Sequence, residues 1–165
     1  NAESALTVVK HLYKKIDTLT IQKGLINTKW PGRLERIKSG KLINGRKCIT
    51  LIDGAHNLNG AKIIKSYLNN YNKKKFEIII GMMNNKDVRG FIDTLKHKIS
   101  NLYLVPIANQ RNSYDPENLK QVLTNNKFKI RAFNCLEDAI QKVPKDKPLL
   151  ITGSLYLMGE IISKN

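Results

Sequence analysis

The sequence has 165 residues with a formal net charge of +16, a 41% share of hydrophobic residues and a 25% share of charged residues. This composition is ordinary for a globular protein, and the length allows one domain with a fragment of a neighbour. No apolar run approaches the roughly 20 residues that cross a bilayer, so a membrane-spanning chain is excluded. We expect a cytoplasmic protein without a membrane partner.

The positive charge raises the question of a nucleic-acid partner, because clustered Lys and Arg residues neutralise phosphates. Here the basic residues are spread from end to end, and lysine outnumbers arginine. The dense run Lys73–Lys75 has no interleaved aromatic residues. A general bias of the sequence toward Lys, Asn and Ile explains the charge at least as well, so we expect no nucleic-acid partner.

The chain opens with a helical pattern, since apolar residues recur at helical spacing from Ala5 to Ile16 with lysines between them. A second short segment follows at about Thr20–Leu25. Because the first residues already belong to a helix, we expect residues 1–28 to belong to a preceding domain of a longer protein.

A linker of residues 29–45 connects this helical part to the rest of the chain. It contains the loop Trp30–Arg33, and the pair Asn44-Gly45 between apolar residues is a typical signal for a two-residue β-hairpin turn. The last predicted unit, residues 46–165, follows this hairpin.

Short apolar segments suited to buried strands alternate with helical patterns from residue 46 to the end. The predicted strands are Cys48–Ile52, Phe76–Ile80, Leu102–Val105, Lys129–Phe133 and Leu149–Thr152. The predicted helices are Asn59–Asn70, Asp87–Ser100, Pro116–Thr124, Leu136–Lys142 and Leu155–Ser163, with caps expected at Asn59 and Asp115. This alternation predicts an α/β fold with an open, mostly parallel sheet and helices on both faces.

The segment Asp53–Asn57, Asp-Gly-Ala-His-Asn, joins the first of these strands to a helix. In open α/β sheets ligands bind beyond the carboxyl ends of the strands, where Asp53 can accept hydrogen bonds from ribose hydroxyls. The helix N-terminus offers free N–H groups to a phosphate, and His56 can contact phosphate or substrate. The alternative is that Asp53 and Asn57 only cap the helix and that His56 is an incidental surface residue.

Two further features support the ligand-binding interpretation. Arg33 lies in the linker loop, where a planar guanidinium can form a bidentate contact with a phosphate, unless it only pairs with Glu35 on the surface. The segment Thr152–Ser154 repeats the arrangement of strand, glycine and helix, and presents a small polar group at the carboxyl edge. Its alternative is an ordinary helix cap.

Four ordered motifs are similar in sequence and spacing to those of one enzyme family: Trp30–Glu35, Asp53–Asn57 with Gly60-Ala61, Gly81–Asp87 and Thr152–Glu160. The sequence resembles the C-terminal part of folylpolyglutamate synthase/dihydrofolate synthase, the folate branch of the Mur ligase superfamily, over essentially the whole chain. The resemblance implies the Rossmann-like fold of the Mur ligase C-terminal domain. Asn1-Ala2 also resembles the start of the last helix in the family's central domain, so the resemblance implies that residues 1–28 are the helical tail end of a central ATPase domain.

The resemblance implies an ADP-forming amide ligase, in which ATP activates a folate carboxylate as an acyl phosphate that the amine of L-glutamate then attacks. It places Asn1, Arg33 and Asp53 at ATP-binding positions and His56 in the same pocket, with Arg33 and His56 as catalytic residues. It places Ser154 near the glutamate and folate substrates. Asn85 is a departure, since the family often has aspartate there.

The family's central domain supplies a glycine-rich P-loop and the Mg²⁺ ligands, and this sequence contains no G-x-x-x-x-G-K-[ST] motif. We therefore expect no metal ligand in this chain and no ligation by the chain alone. We expect a monomeric enzyme in which a P-loop domain, on the same or another polypeptide, completes the site. Two alternatives remain, the C-terminal domain of a peptidoglycan Mur ligase and an inactive remnant of a split or decayed ligase gene.

Overall fold

The computed structural model of the chain describes residues 2–71, 74–123 and 127–165. The chain divides into two compact units, Asn1–Pro31 and Gly32–Asn165. Within the described ranges, no helix has the length and apolar character needed to cross a membrane.

The first unit contains two helices, α1 (Ala2–Leu12) and α2 (Thr18–Asn27). Asp17 caps α2, because its carboxylate accepts hydrogen bonds from the backbone N–H and the hydroxyl of Thr20 at 2.9 and 2.6 Å. The described side chains of both helices are at least partly exposed to solvent, including the apolar side chains of Leu12 and Ile26.

In the described part of the chain, the second unit is built on a six-stranded sheet in the order β1-β2-β6-β3-β4-β5. The strands are β1 (Glu35–Ile37), β2 (Thr50–Asp53), β3 (Phe76–Ile80), β4 (Ile99–Leu104), β5 (Lys129–Ala132) and β6 (Leu149–Thr152). β1 is antiparallel to β2, and the other neighbouring strands are parallel. Every residue of β2, β3 and β6 is buried, and most of these residues are apolar, as is typical of strands covered on both faces.

Helices cover both faces of this sheet. They are α3 (Leu58–Leu68), α4 (Val88–Leu95), α5 (Pro116–Val122), α6 (Leu136–Lys142) and α7 (Leu155–Lys164). One hydrophobic cluster joins the sheet to α3, α4 and α5, and the other joins it to α6 and α7. Successive side chains of β3 alternate between them, since Ile78 belongs to the first cluster and Ile79 to the second. The predicted α/β fold with an open, mostly parallel sheet is confirmed.

The antiparallel partner of β2 differs from the predicted one. Residues 42–45 form a turn without flanking strands, so the hairpin predicted at Asn44-Gly45 is not formed. Glu35–Ile37 pairs with β2 instead, with Glu35 opposite Ile52 and Ile37 opposite Thr50. Local turn chemistry at an Asn-Gly pair does not specify which distant segment completes the edge of a sheet.

Several element ends also differ from the sequence prediction. The cap of α3 is Asn57, whose side chain accepts a hydrogen bond from Gly60 N–H at 2.9 Å, and not Asn59. The helix predicted to continue to Ser100 ends at Leu95, because Ile99 is buried and already begins β4. The predicted end of another helix, Thr124, lies outside the described residues.

Candidate functional site

Three neighbouring parallel strands end at the same level of the sheet. Asp53 of β2 is opposite Thr152 of β6, and Thr152 is opposite Ile80 of β3. The loops that follow these strands therefore meet at one edge, which we call the carboxyl edge. In open α/β sheets this is the edge where ligands bind.

Asp53 is a buried carboxylate at this edge, with 5% of its surface exposed. Its Oδ1 accepts a hydrogen bond from Ala55 N–H at 2.7 Å, and its Oδ2 accepts one from Leu34 N–H at 2.8 Å. Burial raises the pKa of Asp53 above the ordinary value of an aspartate, although both backbone hydrogen bonds and the charge of Arg33 act in the opposite direction. Asp53 thus connects its own loop to the turn that contains Arg33.

The turn around Arg33 has a strained backbone held by three hydrogen bonds. Leu34 has a φ of 44°, a region that side-chain-bearing residues rarely adopt, and Gly32 has a φ of 70°. Besides the bond from Leu34 to Asp53, the carbonyl of Gly32 accepts from Gly54 N–H at 2.7 Å. Gly32 N–H in turn donates to the Glu35 carboxylate at 2.8 Å. The exposed side chain of Arg33 therefore projects from a fixed backbone.

The Glu35 carboxylate is a site residue whose role the sequence did not reveal. Its hydrogen bond to Gly32 N–H closes the turn on which Arg33 sits. Among the residues that the structure describes, no ion pair joins Arg33 to Glu35, so the surface-pair alternative is not supported. An acidic residue three positions after a glycine in a loop was the signal available in the sequence.

His56 lies in the turn between Asp53 and α3. Its Nδ1 is 3.1 Å from the carbonyl oxygen of Gly54, and because a carbonyl only accepts hydrogen bonds, this contact requires the proton on Nδ1. The Nε2 atom is then the nitrogen available to a ligand. The alternative interpretation was that Asp53 and Asn57 only cap the helix. Asn57 does cap α3, but Asp53 does not, because its carboxylate accepts hydrogen bonds from Leu34 and Ala55 N–H instead.

Close packing of glycines brings the two loops together. A Cβ atom at Gly54 would contact the Leu155 side chain, which shows that the loop after β2 lies against the start of α7. Gly153 has a φ of 113°, and a Cβ atom there would be 2.5 Å from the carbonyl oxygen of Gly81. Only glycine fits such a position, so the turn after β6 depends on this residue.

Ser154 is 3% exposed and caps α7, because its Oγ accepts a hydrogen bond from Tyr156 N–H at 3.1 Å. Ser154 is therefore a helix cap, as the alternative interpretation of this segment proposed. A serine hydroxyl also has one proton to donate, which the cap does not use. The neighbouring Leu155 and Tyr156 are exposed apolar residues at the same edge, with 44% and 60% of their surface accessible.

The third loop at the carboxyl edge follows β3 and contains Gly81–Asp87. Asp87 caps α4 through a 2.9 Å hydrogen bond from Gly90 N–H. Asn84 N–H donates to the carbonyl of Asn112 at 2.8 Å, which joins this loop to the one that follows β4. Asn85 and Lys86 lie in this loop, Gly81–Asp87, which forms part of the carboxyl edge.

The structure therefore brings Arg33, Asp53, His56 and Ser154 to one edge of the sheet. Asn1, the remaining predicted site residue, lies outside the described residues. Among the described residues, no group of three or more His, Cys, Asp or Glu side chains forms a metal-binding cluster. We assign none of the described side chains as a ligand of a Mg²⁺ ion, which proteins usually hold by one or two carboxylates together with substrate phosphates. An exposed guanidinium on a rigid turn does fit a phosphate.

Comparison with known proteins gives the family. Residues 35–164 match the model of the family described as dihydrofolate synthetase, C-terminal domain. The chain is 33% identical over 141 residues to the folylpolyglutamate synthase of Lacticaseibacillus casei, and the match covers 86% of this chain and 31% of that protein.

Solved structures show the same fold. The folylpolyglutamate synthase of Mycobacterium tuberculosis complexed with ADP matches with a TM-score of 0.79 and 23% identity, over 96% of this chain and 38% of that one. The bifunctional folylpolyglutamate synthase/dihydrofolate synthase of Yersinia pestis complexed with AMPPNP and a Mn ion matches with a TM-score of 0.76 and 20% identity, over 96% and 37%.

The matches also show how much of each relative this chain covers. The chain spans about a third of the length of the relatives that it matches. The Mycobacterium tuberculosis relative was solved with ADP, and the Yersinia pestis relative was solved with AMPPNP and a Mn ion. Because the family model covers most of the chain, this protein belongs to the dihydrofolate synthetase family and corresponds to its C-terminal domain.

Proposed function

We propose that this chain is the C-terminal part of an ATP-dependent ligase that joins L-glutamate to a folate, with tetrahydrofolate, dihydropteroate or both as acceptor. The observation that carries this proposal is the pair of Arg33 and Asp53, held together by the Leu34 hydrogen bond at the edge where the family's ligands are expected. The reaction forms ADP and phosphate, and the new bond is the amide between a folate carboxylate and the glutamate amine.

Arg33 is the residue that we assign to the transferring phosphoryl group. Its guanidinium is exposed, always charged and attached to a turn that three hydrogen bonds hold in place. The fixed backbone limits the positions that the guanidinium can reach, so less ordering is required when charge develops on the phosphoryl oxygens. Removal of one such contact typically costs roughly 2–4 kcal/mol in the transition state.

Asp53 has two roles in this proposal. Its carboxylate holds the Arg33 turn through Leu34, which makes it a positioning residue for the guanidinium. Each carboxylate oxygen accepts one described hydrogen bond and retains a lone pair. Asp53 keeps 5% of its surface exposed, so its carboxylate can accept a further hydrogen bond from a ribose hydroxyl. The same burial that raises its pKa strengthens any hydrogen bond that it accepts.

His56 and Ser154 face the acyl-transfer side of the reaction in our proposal. With Nδ1 bonded to the Gly54 carbonyl, the Nε2 atom of His56 can accept a proton from the glutamate ammonium or contact a phosphate oxygen. The Ser154 hydroxyl can donate its unused proton to a substrate carboxylate. Asn1 completes the proposed ATP-binding set.

The rest of the site is proposed to lie in a P-loop domain that supplies the phosphate cradle and the Mg²⁺ ligands. We propose that residues 1–28 belong to that central domain, that residues 29–45 link it to the ligase domain of residues 46–165, and that the enzyme is a cytoplasmic monomer. Magnesium would supply charge neutralisation on the ATP phosphates, and Arg33 would neutralise charge on the transferring phosphoryl group.

The test is a reconstitution of the chain with the family's P-loop part, on one polypeptide or as two. Glutamate incorporation is measured with tetrahydrofolate, with dihydropteroate and with a UDP-muramoyl peptide as acceptor. ATP-dependent incorporation into a folate supports the proposal, and incorporation into the muramoyl substrate alone would assign the chain to the peptidoglycan branch. Folded protein without incorporation into any acceptor would indicate the inactive remnant.

A further inference from the structure

A second polar feature lies at the opposite edge of the sheet, where β3, β4 and β5 begin. A cavity of about 390 Å³ opens there beside the end of α4. Lys75 immediately precedes β3, Lys96 and His97 follow α4, and Lys127 lies just before β5. We call this cavity the amino-edge cavity. Its lining includes none of the residues assigned to the carboxyl edge.

The lining of the amino-edge cavity is positively charged. Lys75, Lys96 and Lys127 oppose a single carboxylate, Asp93. Within the described ranges, none of these three lysines forms an ion pair. All three are exposed, so their ammonium groups can reach a ligand in the cavity without first breaking a salt bridge. Uncompensated cations around one cavity favour an anionic ligand.

Part of this charge has a structural reason. Lys96 and His97 follow the last residue of α4, where cations offset the negative end of the helix dipole. Lys75 and Lys127 have no such reason, because each precedes a strand and strands carry little net dipole. These two lysines are therefore the part of the charge that the fold itself does not explain.

The cavity also has an apolar wall. Ile99 is 1% exposed, and the half-buried ring of Phe128 packs against the hydrophobic cluster that joins the sheet to α3, α4 and α5. An aromatic side chain next to cations provides a surface on which a planar ring can stack while a charged tail meets the ammonium groups. A volume of about 390 Å³ suits a small ligand of this kind.

We propose that the amino-edge cavity binds a multiply charged anion that carries a planar ring. This chemistry is shared by nucleoside polyphosphates and by pteroyl compounds with several glutamates, and the lysines would hold the anionic tail of either one. The site is separate from the carboxyl edge and would act as an additional binding site. It does not depend on the ligase activity proposed above.

The test measures binding of ATP, pteroyltriglutamate and inorganic triphosphate to the 165-residue chain by calorimetry at low salt. The cavity variant is Lys75→Ala with Lys127→Ala, and the matched control is Lys62→Ala with Lys65→Ala, which removes the same charge from exposed positions on α3. We expect the cavity variant to weaken binding by about tenfold, because it removes two of the three ammonium groups that line the cavity. The control should change it by less than about twofold.

Two more variants locate the ligand. Phe128→Leu should weaken ATP or pteroyltriglutamate by about threefold to tenfold and leave inorganic triphosphate unchanged, because only the first two have a ring to stack. Arg33→Ala removes the phosphate contact proposed at the carboxyl edge, so binding that remains in this variant and falls in the lysine variant belongs to the amino-edge cavity. Equal weakening by both lysine pairs, loss of binding only in Arg33→Ala, or no binding of any probe at about 1 mM would each overturn the proposal. Circular dichroism checks that each variant is folded.

Discussion

The two edges of the sheet differ in how their polar side chains are held. The carboxylate of Asp53 and the hydroxyl of Ser154 accept backbone hydrogen bonds at the carboxyl edge, whereas Lys75, Lys96 and Lys127 of the amino-edge cavity form no ion pair in the described part of the chain. Asp53 accepts from Leu34 and Ala55, and Ser154 accepts from Tyr156. Lys75 and Lys127 form no ion pair with any described residue. Asp53 and Ser154 are also buried, so we call the carboxyl edge the rigid edge, whereas Lys75, Lys96 and Lys127 are exposed.

This difference has a chemical consequence. Transition-state stabilisation depends on dipoles and charges that are already oriented, so the rigid edge suits catalysis. Exposed lysines bind anions with little geometric precision, and dissolved salt screens their attraction beyond a distance of about 10 Å. The amino edge therefore suits reversible binding. Mutations at the carboxyl edge should therefore lower the catalytic rate, and mutations at the amino edge should lower the affinity for an anion.

The largest effect is expected from Asp53→Ala, measured in an enzyme that contains the P-loop part. The substitution leaves Leu34 and Ala55 N–H groups without their acceptor and releases the Arg33 turn, so ligation should be abolished. The sheet should remain folded, as judged by circular dichroism. Asp93→Ala, at an exposed carboxylate of the amino edge, is the control and should retain ligation. Normal ligation in Asp53→Ala would remove Asp53 from the site.

A second effect separates charge from geometry at Arg33. Arg33→Lys keeps the charge but loses the planar, bidentate donor, so kcat in the reconstituted enzyme should fall by about 10²- to 10³-fold. The stability of the chain should change by less than about 0.5 kcal/mol, because the side chain is exposed. An unchanged kcat with a higher KM for ATP would show that Arg33 binds ATP without acting on the transition state.

The sequence predicted which residues lie at the rigid edge better than it predicted the conformation of the loops that position them. Asp53, His56 and Ser154 follow strands that read as apolar runs, so their placement at one edge follows from parallel pairing. The turn at Gly32–Leu34 could not be predicted, because its positive φ at Leu34 depends on acceptors such as Asp53, 19 residues later in the chain. The antiparallel strand Glu35–Ile37 was missed because it is short and two of its three residues are exposed.

The amino-edge cavity was not predicted at all. Its lysines are separated by tens of residues, and the general abundance of lysine hides any local pattern in the sequence. Only the parallel packing of β3, β4 and β5 brings Lys75, Lys96 and Lys127 around one cavity. Clusters formed by distant chain segments are invisible to a reading based on periodicity and short motifs.

A third effect concerns backbone geometry at the rigid edge. Gly153→Ala places a Cβ atom 2.5 Å from the Gly81 carbonyl oxygen at a φ of 113°, so the free energy of unfolding should fall by about 2–4 kcal/mol. Gly159→Ala is the matched control, because this glycine lies in α7 and a Cβ atom there meets nothing within 4 Å. The control should gain about 0.5–1 kcal/mol. Urea titration measures both, and equal stabilities would mean that the turn after β6 tolerates a side chain.

The smallest effect is a pH dependence that belongs to Asp53. Its pKa is raised by burial, so the folded chain binds this proton more tightly than the unfolded chain does. The stability that Asp53 contributes is therefore greatest below its unfolded pKa, and it decreases as the pH rises toward the higher folded pKa. Asp53→Asn removes this titration and keeps one oxygen acceptor. The stability of the original chain minus that of the variant, from urea titrations across the acid range, should decline with rising pH. A difference that instead increases with pH would mean that the hydrogen bonds from Leu34 and Ala55 outweigh burial, and that Asp53 meets its ligand as a stabilised carboxylate.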